Sequence, residues 1–247
     1  MGLRETEAIV LRTYNLAEAD KIVVCLTLDS GVVRAVARGA RKLKSRFGAG
    51  LEPSTVLVLS YFEKEGRELV SLRHAEIVCS YFRLASSMEI VSALAYMSEL
   101  VMEFSPPGEP NEKVYRMVKA VLDALDREPG DLQALILYFE IWILKLSGFF
   151  PDLRACARCG KSLGNGRFGF FTSQSGLSCE ECSLRAAVEL SHAACDQLRS
   201  AKFLSPLAFA EKARSLKLTQ RVEMAELTKT FIGRALEKRP QLLVNIK

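Results

Sequence analysis

The sequence predicts an α+β multidomain protein: an N-terminal antiparallel β-barrel, a helical bundle domain, and an inserted four-cysteine, zinc-ribbon-like module. Three observations predict it. Residues 1–80 hold β-rich runs with no helix of any length between them. Beyond them the apolar residues recur at helical spacing, and two CxxC pairs then interrupt the helical pattern. The expected boundaries are 1–80 for the barrel, 81–150 together with 184–247 for the helices, and 151–183 for the insert.

Glu7–Arg12, Lys21–Leu28, Val32–Ala37, Thr55–Glu63 and Glu68–Val78 are the β-rich runs, and "DSG" at 29–31 and "KEGR" at 64–67 supply glycine-containing hairpin turns. Five strands joined without helices close most simply into a small barrel. Between the third and fourth lies Val36–Gly50, "VARGARKLKSRFGAG", expected to be a long loop or one that begins with a helical turn. From about residue 80 the period changes. Ile90, Leu94, Met97 and Val101 mark one helix, and "SPPGEPN" at 105–111 breaks it. Val114, Met117, Val118, Val121, Leu122 and Leu125 mark the next, and Asp131 can cap a third over Leu132–Leu146. Helical patterning returns from Ser191 and ends in a long helix carrying Val222, Ala225, Ile232 and Leu236.

The insert contains Cys156-Ala-Arg-Cys159 and Cys179-Glu-Glu-Cys182, with nineteen residues between the pairs. A two-residue gap lets both sulfurs of a pair reach one tetrahedral centre, and thiolate is a soft ligand suited to Zn²⁺. Gly160 permits the tight turn of a knuckle, and "GRFGFFTSQSGLS" reads as a short hairpin between the pairs. Four sulfurs leave no open coordination position, so the expected single zinc ion is structural and supplies folding energy to a module too small for its own core. Cys25, Cys79 and Cys195 lie in apolar contexts and are expected to be small core residues.

The chain has 247 residues, 49% of them hydrophobic and 26% charged, with a net charge of only +5. Its N-terminus carries acids and no apolar leader, and its longest apolar run, Leu132–Leu146, is too short for a membrane span and includes Gln133, Glu140 and Lys145. Seven cysteines without a leader point to a reducing cytoplasm rather than a disulfide framework. Nothing in the sequence forms a nucleophile elbow, Walker loop, dinucleotide fingerprint or HExxH motif. His74 falls in a strand and His192 at a helix start, neither beside a recognisable catalytic partner. The chain reads as a binding protein rather than an enzyme.

Any anion-binding role must come from local clustering. Arg34, Arg38, Arg41, Lys42, Lys44 and Arg46 place six cations within thirteen positions, with no acid among them. A basic run alone is weak evidence, but a small barrel is a recurrent platform for single strands, combining a positive groove with aromatic faces. Phe47, set among the loop charges, is the expected stacking residue, whereas Tyr14, Tyr61 and Phe62 read as core. Arginine forks suit phosphate oxygens, and nothing in the run looks built to read bases, so binding without sequence preference is expected.

"AVARGARKLKSRFGAGLEPSTVL" after "IVVCLTLDSGVV", then "LVSLRHAEIV", "LSGFFPDLRACARCG" and "CEEC", resembles the RecO family of bacterial recombination mediators over most of the chain. The resemblance implies an N-terminal OB-fold, a central helical domain and a zinc-binding insert. It further implies binding of single- and double-stranded DNA, annealing of complementary strands, and work with RecR, and in some contexts RecF, to load RecA where SSB covers DNA. The family acts in the bacterial cytoplasm, at the nucleoid, and its contact to the SSB tail lies in the helical region. The six cations named above become the DNA-contact candidates. Where the family carries a basic, serine-containing tail, this chain ends in "EKRPQLLVNIK". Two other classes fit the residues alone: a zinc-ribbon adaptor that touches only proteins, and a metal-dependent nucleic-acid enzyme.

Overall fold

The computed structural model describes residues 2–63, 68–163, 168–170, 176–182 and 188–236. The expected turn at 64–67, the tip of the insert hairpin and the C-terminal tail fall outside these residues. Packing divides the chain into two units at Asp126/Arg127, so the first two helices group with the strands.

The first unit is built on β1 (Gly2–Leu16), β2 (Asp20–Thr27), β3 (Val32–Ala37), β4 (Thr55–Glu63) and β5 (Leu69–Ser80). Strand pairing runs β1-β2-β3-β5-β4 and returns to β1. β1 makes this return possible because it is long: Gly2–Ile9 pair with β4, and Ala8–Leu16 pair with β2. Four of the pairings are antiparallel, but β3 and β5 run parallel, with Arg34 opposite Leu69 and Val36 opposite Ser71. That departs from the expected all-antiparallel arrangement. β4 is antiparallel to β5 and sits on its far side, so β5 meets β3 in the same direction. Alternation sends Ala8, Val10, Val23, Cys25, Val33, Ala35, Leu57, Leu59, Val70 and Leu72 to one buried interior. Burial pushes the Cys25 thiol up to about 12, as expected of an inert core cysteine.

α1 (Met88–Phe104) is capped by Ser87, whose hydroxyl accepts from the Ile90 N–H. α2 (Glu112–Arg127) is amphipathic and buries Val114, Met117, Val118, Val121, Leu122 and Leu125, the residues its periodicity predicts. Two tyrosines tie this unit together through acids. Tyr115 donates to Glu7 Oε1 on β1 at 2.6 Å, and Tyr81 donates to Asp123 Oδ1 on α2 at 2.5 Å.

The second unit centres on α3 (Leu132–Leu146), capped as expected by Asp131, which accepts from the Ala134 N–H at 3.1 Å. It is apolar on every side and buried along most of its length. α5 (Pro206–Ala213) and α6 (Leu218–Ala235) pack against it, and α4 (His192–Ser200) packs against those two. The buried Glu140 of α3 accepts from Thr228 Oγ1 of α6 at 2.5 Å. Val222 of α6 is exposed, because the helix turns Met224, Leu227, Phe231 and Ile232 inward instead. A three-stranded sheet precedes α4: β6 (Phe168–Phe170) pairs with β7 (Leu177–Cys179) on one side and β8 (Val188–Leu190) on the other. The β6–β7 pairing is the expected hairpin, and β8 is an addition. Among the described residues no helix is long and apolar enough to cross a membrane.

Candidate nucleic-acid interface and metal centre

The segment between β3 and β4 is a chain of tight turns rather than a helix. Successive backbone bonds run from Ala40 N to Ala37 O, Lys42 N to Gly39 O, Ser45 N to Lys42 O and Gly48 N to Ser45 O. The loop is fixed to the sheet at several points. The Arg41 N–H donates to Ala19 O at 2.9 Å, its guanidinium to Ala17 O at 2.8 Å, and the Gly39 N–H to Asp20 Oδ1 at 2.8 Å. Lys21 and Glu52 form an ion pair at 3.2 Å across the loop's far end. Gly50 is closely packed: a Cβ there would stand 3.2 Å from Ile77 Cγ1 and from Phe47 O, so these neighbours would have to give by a few tenths of an ångström.

Side chains of the loop sort by chemistry. Ala40, Phe47 and Leu51 pack against the sheet interior. Arg34, Arg38, Arg41, Lys42, Lys44 and Arg46 all face solvent. Leu43 is fully exposed at the turn between two lysines. The structure thus exposes five of the cations on a held loop and the sixth, Arg34, within β3.

Phe47 requires a correction. Its ring is 4% exposed and belongs to the interior cluster, so it is closed to a base. Hydrophobic burial outweighs its polar sequence neighbourhood: an aromatic side chain fills the end of the sheet's interior while the adjacent charges stay in water. Tyr61 is buried as expected, and Phe62 lies under Arg73, whose Cζ is 4.7 Å from its ring centroid. Tyr14 reverses its expected place and is 46% exposed.

A β-bulge explains the reversal. The β1–β2 register shifts between Val10 and Arg12, leaving Leu11 as the extra residue. Strict alternation from the inward Val10 would point Arg12 and Tyr14 inward. The bulge flips them to pair with Val24 and Ile22, on the outer face opposite Val23 and Cys25. Arg12 and Tyr14 are residues that sequence alternation alone conceals. The only signal in the sequence is a basic and a polar-tipped aromatic side chain at i and i+2 in a strand.

In the second unit, Cys156, Cys159, Cys179 and Cys182 converge, each offering a sulfur within 4.8 Å of the others. Cys159 Sγ and Cys179 Sγ are 3.7 Å apart, far beyond a disulfide bond. A tetrahedral ion bound at about 2.3 Å sets sulfurs about 3.8 Å from one another, so the cluster fits a metal. Two knuckles build it. Gly160 takes a positive φ of 73° and its N–H donates to Cys156 O at 2.9 Å, while the Ala157 N–H donates to Leu177 O and joins the knuckles. Burial works against the Cys156 thiolate, but N–H donors around Cys179, Cys159 and Arg158 overcome it and pull the thiol down to about 6. Lys161 and Glu181 form an ion pair at 2.8 Å beside the sulfurs. Cys195 is fully buried and its thiol is pushed up to about 11, whereas Cys79 is only half-buried.

Residues 1–81 match the family model Recombination protein O N terminal, and residues 85–242 match Recombination protein O C terminal. The chain belongs to the RecO family. It is 36% identical over 188 residues to a DNA repair protein RecO of Koribacter versatilis, covering 76% of each chain. With that of Syntrophotalea carbinolica it shares 31% over 212 residues, 86% of this chain and 77% of the relative. With that of Bifidobacterium animalis subsp. lactis it shares 37% over 202 residues, 81% of this chain and 82% of the relative. The basic loop and the four-cysteine cluster are therefore features of a RecO-family DNA repair protein.

Proposed function

We propose that this chain is a recombination mediator that grips DNA by its phosphates and anneals complementary strands. One observation carries the proposal: Arg38, Arg41, Lys42, Lys44 and Arg46 are exposed on a loop anchored to the sheet, and Arg34 is exposed on the strand that leads into it, with no acid in the run. The strand order, with a long β1 serving two neighbours and one parallel pairing, supports reading the sheet as an OB-type barrel. Two complementary strands repel each other, and cations that meet phosphates without reading bases lower that repulsion and leave base edges free to pair. Both single- and double-stranded DNA are ligands on this reading, since both present phosphates. No bond is made or broken, and no nucleotide is consumed.

The four cysteines hold one structural Zn²⁺. Sulfur-only donors favour zinc among the common divalent ions, and with four protein ligands the ion shapes the module rather than reacting. Family membership supports RecR, SSB and, in some settings, RecF as partners, with RecA loaded on DNA that SSB had covered, at the bacterial nucleoid. The test is annealing of SSB-coated complementary oligonucleotides with and without this protein. Faster duplex formation is expected, and a protein that neither binds oligonucleotides nor speeds annealing overturns the proposal.

A further inference from the structure

Resting on that DNA-binding reading, we propose that Tyr14 is a stacking platform for an unpaired base, held on the outer face of β1–β3 beside the basic loop. The register supplies the geometry. Tyr14 lies opposite Ile22, which lies opposite Val36; two residues along, Arg12 lies opposite Val24, which lies opposite Arg34. Tyr14, Arg12 and Arg34 therefore share one face, within neighbouring rows of a sheet whose strands are about 4.8 Å apart. Ile22, the residue paired with Tyr14, is apolar and half-buried.

The ring is both accessible and held. It is 46% exposed, and Arg12 Nη1 lies 3.4 Å from its hydroxyl. Three residues further on, the Ala17 carbonyl accepts from the Arg41 guanidinium, which brings the basic loop to the end of the same strand. A flat π-face bordered by guanidinium groups is the arrangement that takes a base on the ring and its flanking phosphates on the arginines. Phe47 cannot serve, being buried, and the Phe62 ring is already covered by Arg73. A platform of this kind accepts only an unstacked base. It adds affinity for single strands and none for a duplex, where the bases are already paired and stacked.

The test compares the full-length protein, Tyr14→Ala and Tyr14→Phe on an oligothymidine, an abasic strand of equal length and a duplex. Tyr14→Ala is expected to bind the oligothymidine roughly five- to a hundredfold more weakly, the range of one lost base stack. Its binding to the abasic strand and the duplex should be unchanged, and so should its salt slope on all three. Tyr14→Phe should keep the wild-type preference for the oligothymidine. Equal losses on all three ligands, or no loss on the oligothymidine, overturn the Tyr14 assignment while leaving phosphate binding standing. A wild-type protein that binds none of the three overturns the DNA-binding reading itself.

Discussion

The guanidinium of Arg46 lies over the ring of Phe47, its Cζ 4.8 Å from the ring centroid. These sequence neighbours take opposite directions. Phe47 enters the interior of the sheet, and Arg46 stays in solvent while reaching the Leu72 carbonyl at 3.5 Å. The buried ring is thus the anchor from which the neighbouring cations are displayed.

Replacing Phe47 by Ala should therefore damage stability rather than base contact. A buried aromatic truncated to Ala costs about 3–5 kcal/mol, and urea unfolding of Phe47→Ala should show a loss in that range. A loss within about 0.5 kcal/mol, the scale of ordinary surface substitutions, would place Phe47 outside the core.

Changing Arg41, Lys42 and Lys44 together to Ala removes three exposed cations and leaves the interior packing intact, at the loss of the Arg41–Ala17 bond that helps hold the loop. If all six cations meet single-strand phosphates, the slope of log affinity against log salt is about −4, at roughly 0.7 per contact. The triple variant should lower its magnitude by about 2 on the same rule. An unchanged slope in a folded variant would falsify the assignment of these residues to DNA.

Metal analysis should find one zinc ion per chain, bound through Cys156, Cys159, Cys179 and Cys182. Cys156→Ala should lose the ion, because three sulfurs no longer complete the tetrahedron. Chelation should lower the unfolding temperature and open β6–β8 to hydrogen exchange. Acidification should release the ion as protons compete for the thiolates. Full metal content in Cys156→Ala would rule out this ligand set.

Tyr81 and Tyr115 are buried and donate to Asp123 and Glu7, and burial first, then these carboxylates, raise both phenols well above their usual range. A raised folded-state value means stability is fully present below about pH 10 and is lost as the pH climbs above it, because only the unfolded chain ionises there. Stability should fall by about 1.4 kcal/mol per pH unit for each tyrosine well above pH 10, and by about half that slope at pH 10 itself. Tyr81→Phe and Tyr115→Phe should each flatten the decline, and denaturant titrations between pH 9 and 11 measure it (a window set by the tyrosine reference value). Parallel curves for wild type and variants would show that neither phenol stays protonated in the fold.

Much of this protein follows from the sequence alone, and the reasons are local. β3 and β4 begin and end where their β-branched runs do, Asp131 caps α3, and the CxxC spacing brings four sulfurs together. Each depends on the chemistry of a few adjacent residues, or on a metal geometry that demands fixed spacing. The clustering of six cations in β3 and the loop after it was equally legible, because an unpaired charge is costly to bury and stays in water.

The tertiary structure decided which aromatic ring faces out. Phe47 sits among charges yet is buried, since its ring joins the interior cluster while its charged neighbours stay in water. Tyr14 lies in a strand that strict alternation turns inward, yet it faces solvent, since one extra residue at Leu11 reverses the side-chain parity beyond it. The pairing of β3 with β5 and of β6 with β8 is likewise settled by distant partners. A bulge depends on the register between two strands, and a register belongs to the pair rather than to either sequence segment.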